Sequence, residues 1–109
     1  MVAIMCALPA EAKGIITFFN LRSVPTTLPF SFYANNDILL LITGVGKARM
    51  SSAIGAFFSR YDASMFHAIF NVGICAGGEA YPLGEIVVIH ELKDHVRRFY
   101  PDMLLAHSF

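Results

Sequence analysis

Three continuous apolar runs, each ending at a proline or glycine turn, limit what this chain can fold into. They cover residues 2–8, 38–43 and 68–72, and they are followed by Pro9, by Gly44-Val45-Gly46 and by glycines at 73, 77 and 78. Apolar runs without polar alternation are typical of strands covered on both faces. Helical patterns follow the first two runs, and strands that alternate with helices predict an α/β fold with a mixed, largely parallel sheet.

Turn chemistry sets the predicted bounds of the remaining elements. Pro9 suits a first helical turn, so a first helix is predicted over residues 9–19 and a second over residues 48–61. Asn35-Asn36-Asp37 separates two apolar segments and predicts a β-hairpin of residues 30–34 and 38–43. The prolines and threonines of residues 20–29 predict a loop, and residues 85–96 form the longest strand candidate.

The composition predicts a single domain with more apolar surface than it can bury. The chain of 109 residues is 56% hydrophobic and 15% charged, whereas an average soluble domain has about 45–50% and 25%. We therefore expect one domain over residues 1–109 and a sizeable interface. Its partner would be a second copy, most simply in a dimer, or a missing carboxy-terminal portion of the fold.

Charge and cysteine content argue against several classes of protein. Eight basic and eight acidic residues cancel, which leaves no electrostatic footprint for nucleic acid or an anionic membrane. Cys6 and Cys75 are too few and too far apart for a disulfide framework, so we expect reduced thiols. Residues 1–10 lack the basic start of a signal peptide, and no apolar run reaches membrane-spanning length, so we expect a cytoplasmic protein.

Two motifs that suggest a cofactor or a metal fail on spacing. Gly44-Val45-Gly46-Lys47 lacks the preceding glycine of a phosphate loop, and Ala48 stands where serine or threonine is needed. The dinucleotide-binding pattern would need a glycine where Arg49 stands. His90 and His95 would lie about 140° apart around a helix, or on opposite faces of a strand. We therefore expect no cofactor and no metal site.

Glu11 is the leading candidate for chemistry. It lies near the start of the first predicted helix, directly after a buried strand, where the carboxyl edge of a parallel sheet binds ligands, so its carboxylate is a candidate general base. The alternative is an ordinary first-turn acid that stabilises the helix dipole. The glycines from residue 73 onward can adopt positive φ and expose N–H groups to a ligand, or they can form a tight connection with no ligand.

Four short segments stand in a characteristic order and spacing. They are Ala7-Leu8-Pro9-Ala10-Glu11-Ala12, Thr43-Gly44-Val45-Gly46-Lys47-Ala48, Asn71-Val72-Gly73-Ile74-Cys75-Ala76-Gly77-Gly78 and Leu83-Gly84-Glu85-Ile86-Val87-Val88. Together they resemble the purine nucleoside phosphorylase and nucleosidase superfamily, most nearly its methylthioadenosine/S-adenosylhomocysteine nucleosidase type. The resemblance covers residues 1 to about 95 and matches the amino-terminal half of the family's usual chain.

The resemblance implies a three-layer α/β/α sandwich and cleavage of the N-glycosidic bond of a purine nucleoside. In hydrolytic members, the glutamate that matches Glu11 activates the water that attacks the ribose anomeric carbon. The matching glycine loops border the ribose and the water or phosphate pocket, which makes Gly44, Val45, Gly46, Gly73, Ile74, Cys75 and Ala76 the expected substrate contacts.

Departures from the family pattern leave three functions open. Asn71 stands where the hexameric bacterial phosphorylases have a phosphate-binding arginine, and Ile74 replaces the serine of the family's glycine loop. The half that carries the acid for the purine ring is not among these residues, so the expected function is that of an incomplete nucleosidase. The alternatives are a truncated, non-catalytic binding or oligomerisation module and a nucleoside phosphorylase.

Overall fold

The computed structural model describes residues 1–74, 82–89, 92–93 and 98–99. The chain divides into two compact units, Met1–Cys75 and Ala76–Phe109. In the second unit, strands Leu92–Lys93 and Arg98–Phe99 pair antiparallel. The prediction of one domain over residues 1–109 stays a prediction.

The first unit is built on a five-stranded mixed sheet. Its strands are β1 (Val2–Cys6), β2 (Arg22–Val24), β3 (Ser31–Ala34), β4 (Ile38–Ile42) and β5 (Ala68–Asn71), in the spatial order β2-β3-β4-β1-β5. The central strand β1 pairs parallel with β4 on one side and with β5 on the other. All three apolar runs are therefore parallel strands of one sheet, and β1 and β4 are buried as predicted. The prediction of burial on both faces is wrong for β5, because this strand lies at an edge of the described sheet and Ile69, Phe70 and Asn71 are exposed.

The sheet is less parallel than predicted, because the sequence analysis missed one strand. β2 pairs antiparallel with β3, and β3 pairs antiparallel with β4, so antiparallel pairs are as numerous as parallel ones in the described sheet. The prediction of a loop over residues 20–29 is wrong for β2. Its sequence Arg-Ser-Val has no apolar pattern, and only pairing with β3 makes it a strand.

One helix packs on each face of this sheet. Helix α1 (Pro9–Phe19) and helix α2 (Lys47–Arg60) match their predicted bounds closely, and a short 3-10 helix, Ala63–Met65, follows α2. Successive side chains of a strand point to opposite faces. In β4, Leu39 and Leu41 pack with Phe57 of α2, whereas Leu40 packs with Ala12 of α1. Both faces of the central strands are thus buried.

The predicted hairpin between β3 and β4 is confirmed. Ala34 pairs with Leu39, and the side-chain oxygen of Asn35 accepts hydrogen bonds from the N–H groups of Asp37 at 2.8 Å and Ile38 at 2.7 Å. An asparagine that binds the backbone ahead of it is a common way to close a turn.

The strand predicted over residues 85–96 is wrong in its first part. Residues 85–89 are not part of a strand, and the Glu85 N–H instead closes a turn on the Pro82 carbonyl at 3.2 Å. An apolar run records a tendency to be buried, but a strand also needs a pairing partner. Of the rest, only Leu92–Lys93 is described as a strand, and residues 90–91 and 94–96 lie outside the described residues. None of the described helices is long and apolar enough to span a membrane.

Candidate functional site

The connections of β1 and β4 diverge at the carboxyl edge of the sheet. These strands are parallel neighbours, with Cys6 opposite Ile42 at their carboxyl ends. The chain leaves β1 into α1 on one face and leaves β4 into α2 on the other face. Ligands of open α/β sheets bind in the crevice that such a divergence creates. The topology therefore marks the edge between Ala7 and Gly44 as the candidate site.

Backbone hydrogen bonds hold the two diverging connections together. The Thr43 N–H donates to the Cys6 carbonyl at 2.8 Å, and the Gly44 N–H donates to the Ala7 carbonyl at 3.0 Å. The Thr43 hydroxyl is buried and donates to the Gly44 carbonyl at 2.9 Å. Sequence reasoning missed Thr43 as a positioning residue. Its signal was a hydroxyl directly after an apolar run and before a glycine.

Glu11 connects two loops that are distant in sequence. Its Oε1 accepts the Leu8 N–H at 2.9 Å, and its Oε2 accepts the Ile74 N–H at 2.8 Å. The first bond is half of a capping box, in which an acid at the third helical position accepts the N-cap N–H. Leu8 offers no side-chain acceptor in return. The second bond ties the start of α1 to the loop after β5, 63 residues further along.

Gly73 allows this close approach, but not in the way predicted. Its φ lies outside the left-handed region, which corrects the expectation of positive φ at this glycine. A Cβ at Gly73 would lie 2.9 Å from Glu11 Oε2, closer than Cβ atoms normally come to another heavy atom. A side chain at this position would displace the carboxylate from the space that it occupies.

The turn after β4 does use positive φ. Gly44 has φ 82° and Gly46 has φ 97°. The side chain of Arg49, from the first turn of α2, folds across Gly44, so that a Cβ there would lie 2.5 Å from Arg49 Cδ and 3.3 Å from Nη1. Val45 is 65% exposed at the tip of the turn. In the sequence, Arg49 served only to reject a dinucleotide motif, and nothing in the pattern indicated that its side chain packs against Gly44.

The negative charge of Glu11 acts on the pKa of the Cys6 thiol at the end of β1. Cys6 is fully buried and is a free cysteine. Burial, and then the nearby Glu11 carboxylate, raise the pKa of the Cys6 thiol above its ordinary value of 9.0. Both effects disfavour the thiolate, so Cys6 is a core residue of the site and not a nucleophile.

Some of the predicted site residues come together, and others cannot be placed. Glu11, Gly73 and Ile74 are in direct contact, and Gly44 joins the same edge through Ala7. Cys75, Ala76, His90 and His95 lie outside the described residues. Among the residues that are described, no group of three or more His, Cys, Asp or Glu side chains could hold a metal ion.

A separate cleft of about 330 Å³ lies on the α1 face of the sheet. Pro9, Ala10, Lys13 and Tyr33 are among the residues that line it, but Glu11 is not. The cleft borders the first turn of α1 without including its carboxylate. It is therefore separate from the contact between Glu11 and the loop after β5.

Comparison with known proteins gives a partial match to a solved structure. No family model and no curated protein matches the chain. Among solved structures, the chain is similar to 5'-methylthioadenosine/S-adenosylhomocysteine nucleosidase from Neisseria meningitidis, solved in complex with methylthio-immucillin-A. The TM-score is 0.49 at 23% sequence identity, and the match covers 64% of this chain. It spans 31% of the length of that nucleosidase. The similarity is a distant and partial one of fold.

Proposed function

We propose that this chain carries the water-activating part of a nucleosidase-like site, which hydrolyses the N-glycosidic bond of a purine nucleoside. Glu11 would be the general base. The proposal rests on the four segments that resemble the nucleosidase superfamily and on the position of Glu11 at the diverging carboxyl edge. It includes a three-layer α/β/α sandwich of the phosphorylase and hydrolase type, of which the described sheet and two helices would be part.

The observation that carries the proposal is the double anchoring of the Glu11 carboxylate. Each oxygen accepts one backbone N–H, from Leu8 and from Ile74. An ionised carboxylate has about four lone-pair sites, so about two remain free to accept a proton from water. The side chain is half-buried, so water reaches it. A base held by two fixed donors needs little reorganisation when it acts.

The chemistry of the proposed step requires a negative charge at this position. The water oxygen bonds to the anomeric carbon as the carbon–nitrogen bond breaks, and Glu11 accepts the proton that the water loses. The leaving base keeps the bonding electron pair and takes its proton from a donor other than Glu11. Glycoside hydrolysis passes through an oxocarbenium-like transition state, which a nearby carboxylate stabilises.

The glycine turns would contact the sugar on either side of this base. We propose that Gly44, Val45 and Gly46 border the ribose from the turn after β4, and that Gly73, Ile74, Cys75 and Ala76 border it from the loop after β5. Of these residues, Gly44 donates to Ala7 in the β1–α1 connection, and Gly73 and Ile74 lie against Glu11 in the first turn of α1. Ile74 presents its N–H to Glu11 and not to a ligand, so this loop would position the base as much as the substrate.

Release of free purine tests the proposal. The chain is incubated with methylthioadenosine or inosine, with and without phosphate, and free base is separated by chromatography. Phosphate-independent release that Glu11→Gln reduces at least about a hundredfold supports hydrolysis. Asp37→Asn is the matched control, because Asp37 is an exposed acid at the opposite end of β4. Measurable base release at equal rates from the wild type and Glu11→Gln would refute Glu11 as the base.

A second candidate function is a non-catalytic module that associates through β5. This strand lies at an edge of the described sheet, and Ile69 and Phe70 are exposed by 45% and 39%. The opposite edge strand, β2, exposes Arg22 and Ser23 instead. Exposed apolar edge strands tend to pair with another chain. We propose a second copy as the partner.

Sedimentation distinguishes the module from a monomeric enzyme. No base release together with a dimer that Phe70→Lys dissociates would favour the module. Arg22→Glu on the opposite edge is the control and should leave the dimer intact. A monomer at all concentrations would exclude this second candidate.

A further inference from the structure

A larger cleft, of about 660 Å³, shares no lining residue with the proposed active site. Its walls are the connection between β2 and β3 and the last turn of α2, and we call it the Arg60 cleft. The residues that line it are Pro25, Thr26, Thr27, Leu28, Ser59 and Arg60. Ligand pockets of proteins have volumes of about 300–1,000 Å³, so this cleft has room for a small organic molecule. Arg60 is the charged member of the lining, and none of the lining residues is acidic.

Contacts within the fold hold the guanidinium of Arg60 in place. Its Nη2 donates to the Pro25 carbonyl at 3.0 Å, and its Cζ lies 5.6 Å from the ring centroid of Phe32 and 5.5 Å from that of Tyr61. Cation–π contacts of this kind fix an arginine without using its N–H groups. A guanidinium carries several N–H donors, and within the described residues the bond to Pro25 uses one of them. The others are available to a ligand in the cleft.

The other wall of the Arg60 cleft supplies hydroxyl donors. Thr26 Oγ1 accepts the Leu28 N–H at 3.0 Å, which fixes this half-buried side chain and leaves its O–H free to donate. Thr27 follows directly and adds a second, exposed hydroxyl. Ser59 differs from both, because its hydroxyl already donates to the Ala56 carbonyl at 2.7 Å. The cleft therefore has a fixed cation on one wall and hydroxyl donors on the other.

This set of donors selects a phosphate group as the ligand. The planar edge of a guanidinium matches two oxygens of a phosphate. A phosphate group has a third strong acceptor oxygen, which the threonine hydroxyls can reach from the other wall. Pro25 and Leu28 add apolar surface to the lining. That surface suits the organic part of a phosphate ester, whereas a free phosphate ion would leave it in contact with water.

We infer that the Arg60 cleft binds a phosphate monoester of a small organic molecule. Arg60 binds two of the phosphate oxygens, the hydroxyls of Thr26 and Thr27 bind the third, and Leu28 contacts the organic part. The site is separate from the proposed nucleosidase chemistry, because Leu28 packs with the cluster on the α2 face of the sheet, whereas Glu11 belongs to α1. The same donors would also bind inorganic phosphate, and the experiment separates the two sources.

Calorimetry and heteronuclear NMR on the full chain test this inference with phenyl phosphate as the probe. We expect phenyl phosphate to bind and to shift the backbone N–H signals of Thr26, Thr27 and Ser59 and the side-chain Nε–H signal of Arg60. Benzyl alcohol, which has no charge, should bind at least about tenfold more weakly. Benzoate should also bind more weakly, because it has no third oxygen for the threonines. Inorganic phosphate should shift the same signals with a lower affinity.

Substitutions in the lining test the two walls separately. Arg60→Gln should weaken the binding of phenyl phosphate about 10- to 100-fold, since it removes hydrogen bonds between charged groups. Arg60→Lys should retain part of the affinity, because lysine keeps the charge but loses the planar set of donors. Thr27→Val should weaken binding about threefold or more, because it removes one hydroxyl donor. Arg22→Gln is the control and should change nothing, because Arg22 is an exposed arginine of β2 outside the lining.

Several results would overturn the inference. They are no binding of phenyl phosphate at millimolar concentration, signal shifts confined to the glycine turns, equal binding of benzoate and phenyl phosphate, and an affinity that neither Arg60→Gln nor Thr27→Val changes. Circular dichroism shows whether Arg60→Gln remains folded, and if it does not, Arg60→Lys and Thr27→Val decide the outcome. If inorganic phosphate binds as tightly as phenyl phosphate, the cleft binds free phosphate and the ester is refuted.

Discussion

Replacing Gly73 by alanine tests the contact on which the candidate site depends. The backbone conformation of Gly73 is open to alanine, because its φ lies outside the left-handed region. The new Cβ would lie 2.9 Å from Glu11 Oε2. The carboxylate must therefore move, and the bond of 2.8 Å from the Ile74 N–H is lost or lengthened.

The size of the effect follows from two opposing contributions. A hydrogen bond to a charged group contributes about 1.5–3 kcal/mol, and the exposed loop places this one at the lower end. Glycine to alanine also stabilises by about 0.4–1 kcal/mol, because the unfolded chain becomes less flexible. We expect a net loss of about 1 kcal/mol in the free energy of unfolding. Gly14→Ala, where no atom lies within 4 Å of the new Cβ, should instead gain up to about 1 kcal/mol.

Urea unfolding of a double-mutant cycle isolates the contact. In a Glu11→Ala background the carboxylate is absent, so Gly73→Ala should become stabilising by about 0.4–1 kcal/mol. The change of sign gives a coupling of about 1–2 kcal/mol between the two positions. If Gly73→Ala destabilises equally in both backgrounds, the carboxylate does not occupy that space, and the reasoning about the site is wrong.

Three further predictions concern the thiol, the second glycine turn and the core. Because the pKa of Cys6 is raised, its contribution to stability is present below about pH 9.0 and is lost as pH rises above that value. Urea unfolding between pH 8 and 10 should show a steeper loss in wild type than in Cys6→Ala. Gly44→Ala should cost about 1–3 kcal/mol from its positive φ plus the contact with Arg49, and adding Arg49→Ala should recover only the contact; full recovery would mean that φ is unimportant. Phe57→Ala should cost about 3–5 kcal/mol because Phe57 is fully buried. Phe58→Ala, at 45% exposure, should cost about 1 kcal/mol or less, and similar losses at both positions would contradict the packing.

The elements that the sequence predicted well are those with a local physical cause. Pro9 at the first helical position and the apolar runs of β1 and β4 gave bounds that the structure matches within one or two residues. β2 and residues 85–89 were mispredicted for opposite reasons. The first is a strand without an apolar pattern, and the second is an apolar run without strand pairing.

The candidate site shows the same division. Glu11 and the glycine turns stood out in the sequence, because an acid after a buried strand and glycines before a helix are local signals. The roles of Thr43 and Arg49 did not, because each depends on which backbone lies beside it. Gly73 lies against the carboxylate of Glu11, 62 positions earlier, and only the tertiary structure shows this contact.

By itself, the sequence determined that apolar strands alternate with helices and that an acid lies in the first turn of α1, because hydrophobic periodicity and turn chemistry act over a few residues. Only the tertiary structure decided that β1 lies between β4 and β5, and that Ile74 donates to Glu11. Pairing of distant strands depends on shape and hydrogen-bond partners that no local pattern encodes. The contact of the acid with the loop after β5 is therefore a property of the fold.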